Sequence, residues 1–119
     1  MSGFVKWLNQ VLDNKFPENM VAINFNLYED GNNQWSVELI GTSRFDVEDD
    51  DWACDEVFST RDNPYVFSRI GKWNDILDEV SSWLSEYLHS ESAAFKMKVC
   101  QGIGIGFVDG DISILYRNI

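Results

Sequence analysis

The chain has 119 residues, enough for one hydrophobic core and too few for two. Hydrophobic residues make up 45% and aromatics 14%, with five Trp and eight Phe, which excludes a disordered chain despite a net charge of -11 at pH 7. Charge of that sign repels nucleic acid and anionic lipid and speeds association with a basic protein, so a basic protein is the expected partner.

The opening MSGFVKWLNQVLDNKF shows no basic segment followed by an unbroken apolar run, so no secretory signal is read in it, and no stretch approaches the roughly 20 apolar residues of a membrane span. Phe4, Trp7, Leu8, Val11 and Leu12 recur at helical spacing, which predicts a short amphipathic helix with Ser2 as its N-cap and Pro17 ending the segment. From Val21 the period changes to two. Val21, Ile23, Phe25 and Leu27 alternate with Ala22, Asn24, Asn26 and Tyr28, and after the turn signal EDGNN the run from Gln34 to Thr42 sets Trp35, Val37 and Leu39 against Ser36, Glu38 and Ile40. A hairpin is predicted. Phe45 and Val47 extend the pattern as a candidate third strand, and Val57-Phe58 and Tyr65-Val66-Phe67 are short apolar pieces on either side of the loop STRDNP.

Lys72 to His89 carries the clearest stripe, with Trp73, Ile76, Leu77, Val80, Trp83, Leu84, Tyr87 and Leu88 on one side of a long helix. The closing GIGIGFVDGDISILYRN reads as a hairpin with Asp109-Gly110 in its turn and Ile112, Ile114 and Tyr116 on one face. The expected fold is a single α+β domain over residues 1–119: an antiparallel sheet of about five strands, with the N-terminal helix and the long amphipathic helix packed on it.

Sites with chemical signatures fare poorly. Gly102, Gly104 and Gly106 are spaced G-x-G-x-G with Phe107 following and no lysine, unlike a phosphate-binding loop, and at a period of two they bare one face of a strand. A bulky ring is expected to lie there, with Trp73 or Trp83 as candidates. The run from Asp46 fails as a calcium loop, because Asp51 stands where glycine is required and Val57 where the bidentate glutamate belongs. Cys54 and Cys100 are far apart in sequence and are expected to be free buried thiols; His89, at the end of the long helix, is the single imidazole. No metal site, cofactor or catalytic group is assigned, and a small Cys/His hydrolase is retained only as a rival.

The stretch RFDVEDDDWACDE, residues 44–56, stands out. Its seven acids and one arginine carry -6 of the total -11, leaving -5 for the other 106 residues. A bland account makes it a solvated guard on a sheet edge, with Trp52 turned into the core. The functional account makes Asp46, Glu48, Asp49, Asp50, Asp51, Asp55 and Glu56 a docking surface for cationic side chains, with Trp52 as its aromatic anchor.

Three segments, WACDEVF, KWNDILDEVSSWLSEYL and GIGIGFVDGDISILYRN, resemble the small immunity proteins that protect bacteria from their own polymorphic or contact-dependent growth inhibition toxins. The resemblance implies a cytoplasmic, non-enzymatic protein that binds one cognate toxin C-terminal domain and occludes its active site. Many such toxins are nucleases, whose clefts are basic. The expected partner is therefore a basic toxin domain, such as a nuclease, met by an immunity monomer, with no nucleic acid and no membrane involved; a nucleic-acid-mimicking inhibitor or an adaptor module is the alternative.

Overall fold

The computed structural model describes residues 2–118. Helix α1 spans Ser2–Leu12, so Ser2, expected as its cap, is already its first helical residue. It stops well before Pro17: Asn14 turns back on the end, donating from its backbone N and its side-chain Nδ2 to the Val11 carbonyl. Strands β1, Ala22–Gly31, and β2, Gln34–Thr42, form the expected hairpin. Asn32 and Asn33 occupy its tip at φ 54° and 60°, the doubly left-handed pair that matches the twist of two paired strands.

The outer edge of β2 is covered by two short strands laid end to end, β3 (Glu56–Ser59) on its last residues and β4 (Tyr65–Ser68) on its first. Thr60 continues the pairing between them. Its N–H donates to the Leu39 carbonyl at 3.0 Å, and its Oγ1 accepts from the Leu39 N–H at 2.9 Å. β3 and β4 therefore act as one edge strand from which 61–64 bulges out. Helix α2, Trp73–Ser90, follows, then α3, Phe95–Lys98, and the strands β5, Gly102–Phe107, and β6, Ser113–Arg117.

The sheet has six strands in the order β3-β2-β1-β5-β6, with β4 beside β3 on β2. It is mostly antiparallel, but its central pair is parallel, Ala22 to Leu27 running alongside Gly102 to Phe107. An antiparallel hairpin needs only a short turn, whereas parallel strands need a crossover; α2 supplies it, packing on one face before β5 enters beside β1.

The odd-numbered residues of the three central strands face the helices. Ile23, Phe25, Leu27, Trp35, Val37, Leu39, Ile103 and Ile105 meet Phe4, Leu8 and Val11 of α1 and Ile76, Val80 and Leu84 of α2 in one core. Each such side chain contributes about 1.5–3 kcal/mol on burial. A second cluster of rings, Phe4, Trp7, Tyr65, Phe67 and Trp83, ties α1 and β4 to the middle of α2. Two of the expected details change. Residues 43–49 form no strand, and a bulge between the pairs Ile103–Tyr116 and Gly104–Ile114 turns Tyr116 to the helix side and leaves Ile114 on the opposite face.

Candidate functional site

The acidic stretch is a folded strap across the back of the sheet, the face the helices leave open. On that face Asn24 pairs with Gly104 and Asn26 with Gly106, so β5 offers bare backbone there. Phe45 lies over Gly102 and Trp52 over Gly104; a Cβ added to Gly104 would meet Trp52 Cζ2 at 3.3 Å, Ile112 Cγ2 at 2.8 Å and Asn24 Oδ1 at 2.6 Å. The two rings meet edge to face at 5.0 Å. Gly102 and Gly104 do make room for bulky rings, as expected, but the rings come from the strap on the back face and not from α2, and Gly106 lies against the Asp111 backbone instead. Trp52 is fully buried, which corrects its reading as a surface anchor: Gly104, with no side chain of its own, leaves the β5 backbone bare where the indole lies.

The carboxylates around Trp52 shape the strap. Asp49 caps the 3-10 turn Asp50–Cys54 by accepting from the Asp51 N–H at 3.0 Å, Asp46 accepts from the Glu48 N–H at 2.9 Å, and Asp50 accepts from the Ile112 N–H at 3.1 Å, which fastens the strap to the β5–β6 connection. Asp55 pairs with Arg44 at 2.8 Å and Glu56 with Arg61 at 2.8 Å. The hydrogen bond to Asp55, with the charges of Asp55, Asp49 and Asp46, holds the Arg44 guanidinium above its ordinary pKa. Asp46, Glu48, Asp49, Asp50 and Asp51 have no cationic side chain within 4.0 Å among the described residues. Glu48, Asp49, Asp50 and Asp51 are exposed and Asp46 is half-buried, so the five acidic side chains give the strap a negative surface.

That surface extends past the strap. The Asp50 link brings it to the connection carrying Asp109 and Asp111, which borders an open groove of about 780 Å³. The groove lies between the first turn of α2 and the ends of β1 and β5, and Leu27, Leu77 and Phe107 line it. Trp73 stands on its wall at 59% exposure, although it belongs to the α2 stripe predicted to be core; it is the first residue of the helix, and among the described residues the ring it meets is Phe107, edge to face at 6.1 Å. Residues 109, 111 and 73 carried no site signal in the sequence: Asp109 read as a turn former, Trp73 as an ordinary core position, and Asp111 was given no role.

Elsewhere on the back face, Glu38 is buried yet charged-partnered: its Oε1 accepts from Tyr28 at 2.8 Å and Asn26 at 3.1 Å, and its Oε2 faces Arg61 Nε at 3.0 Å. Burial, then the hydrogen bond and charge of Glu38, push the Tyr28 phenol up to about 12. Cys54 is exposed rather than buried, at the end of the 3-10 turn, and Cys100 is buried, which pushes its thiol up and disfavours the nucleophilic thiolate. His89 is exposed in the last turn of α2. Among the described residues no group of His, Cys, Asp or Glu side chains converges as a metal-ligand set, and no helix is long and apolar enough to cross a membrane.

Comparison with protein-family models, with curated proteins and with solved structures finds no match to this chain.

Proposed function

We propose that the protein is a binding inhibitor that engages a basic protein partner through its negative surface, in the manner of the toxin immunity proteins its sequence resembles. The observation that best supports this reading is the set of five carboxylates from Asp46 to Asp51 with no cationic side chain within 4.0 Å among the described residues, continued by Asp109 and Asp111. Lysines and arginines that a toxin uses to hold phosphate are complementary to such a surface, and occupying them blocks the cleft without any chemistry on the inhibitor's side. Trp52 takes no part in contact; it holds the strap in place.

The test is co-expression with the C-terminal domain encoded by the neighbouring gene. Survival of the cells and co-purification of the pair are expected, and continued killing with no complex formed would sink the reading. Glu48 and Asp51 are the residues to neutralise, because their carboxylates make no hydrogen bond in the strap. Glu48→Gln with Asp51→Asn is expected to slow association while leaving the thermal midpoint in place. For the unaltered protein the on-rate is expected to fall as salt rises from about 0.05 to about 0.5 M, across which the Debye length shrinks several-fold; a salt-independent on-rate removes the negative surface from the mechanism.

A further inference from the structure

We infer that the groove beside Trp73 receives an apolar side chain of the partner, carried on a segment in which lysine or arginine flanks it; the inference rests on the reading of the protein as a binder of a basic partner. Charge alone steers and orients, while affinity usually comes from one or two rings or aliphatic groups removed from water at the centre of the contact. With Trp52 inside the protein, the strap's exposed large apolar group is Val47, at 41%, with no ring beside it that is as open as Trp73. The groove has such a ring. Trp73 at 59% and Val108 at 49% exposure are large apolar groups facing the same opening.

The indole is also held in position. It rests edge-on against Phe107, which rests in turn on Trp35 at 6.0 Å, a line of three rings running from solvent into the core. A partner therefore meets a pre-positioned surface and loses little to ordering it. Every charged residue lining the groove is acidic, namely Glu29, Asp109 and Asp111. That selects the occupant: a second copy of this chain would bring its own net charge of -11 against these carboxylates, whereas a basic segment is drawn to them.

The probe is a short amidated peptide alternating lysine with phenylalanine, compared at low salt with a control of equal lysine content carrying serine in place of phenylalanine. Amide and indole N–H shifts of the full-length protein report where each binds. The phenylalanine peptide is expected to move the Trp73 indole, Val108 and Gly110 signals and to bind about tenfold or more tightly than the control, and Trp73→Ala is expected to remove that advantage. Because Trp73 is mostly exposed, the variant should fold; Asp109→Asn with Asp111→Asn gives an independent arm, expected to weaken both peptides. Equal binding of the two peptides, or shifts confined to residues 46–51, overturns the groove while leaving the basic partner intact. Failure of both peptides to bind overturns the groove and the basic-partner reading together. Concentration-dependent dimerisation abolished by Trp73→Ala would assign the groove to a second copy and overturn the inference as well.

Discussion

Trp52 and the glycine beneath it explain why so many acids surround a large ring. The strap must cross a face whose central residues are Asn24, Asn26 and three glycines, and its own rings at 45 and 52 are what attach it there. The residues between them have nothing to insert into and face water, where carboxylates serve well. Trp52→Ala is expected to cost about 3–5 kcal/mol, as other truncations of buried aromatics do. The buried indole N–H has no hydrogen-bond partner among the described residues, so Trp52→Phe forfeits no polar contact and should cost well under half of that. Gly104→Ala drives a methyl against Asn24, Ile112 and Trp52 at once and is expected to cost about 1–3 kcal/mol. Guanidinium unfolding midpoints of the three variants check the order, and a Trp52→Ala protein as stable as its parent would mean the ring is not seated.

At the scale of elements, the edge of β2 shows how a loop can be welded to a sheet. Residues 61–64 leave the edge strand, yet Arg61 reaches back to the buried Glu38 and to Glu56. Arg61→Ala leaves the Glu38 carboxylate with only Asn26 and Tyr28 for partners, and we expect a loss of about 1–3 kcal/mol, larger than a half-exposed arginine ordinarily contributes. Glu38→Gln in the same background should recover part of it, measurable as a double-mutant cycle; strictly additive losses would show that the two groups do not interact. The elements with a strict period were legible in the sequence. Alternation over 21–28 and 34–42 and the stripe over 72–89 located β1, β2 and α2 because burial on one side leaves a repeating pattern. The pieces at 57–58 and 65–67 are too short to carry a period, and the parallel pairing of β1 with β5 depends on a crossover that no local signal records. Phe45 misled for a related reason: its alternation with Val47 mimics a strand, while its contact, Gly102, lies far along the chain. Among the candidate site residues, composition alone did not distinguish the buried Trp52 from the exposed Trp73. Each is an indole near acids, and only the seat provided by β5 separates them.

For the whole molecule, alkaline pH is the informative axis. The Tyr28 phenol and the Tyr87 phenol are both pushed up to about 12, each first by burial, Tyr28 then by Glu38 and Tyr87 by Glu91 and Asp13. The folded protein thus retains two protons that the unfolded chain releases near pH 10. Their stabilising effect is complete below about pH 10 and is lost as pH rises through about 12. Unfolding midpoints are therefore expected to decline across that interval, and Tyr28→Phe with Tyr87→Phe to flatten the decline; an unchanged slope would place the sensitivity in other groups.

The central position of β5 also dictates the order in which the chain can close during synthesis. Phe45 and Trp52 leave the ribosome long before the glycines that will hold them, and β1 likewise waits for its second neighbour until residues 102–107 have emerged. Two large rings thus stay uncovered on the nascent polypeptide until its final strands arrive. Completion is then a late, concerted event, with a dense negative cloud around those rings to discourage clumping in the interval.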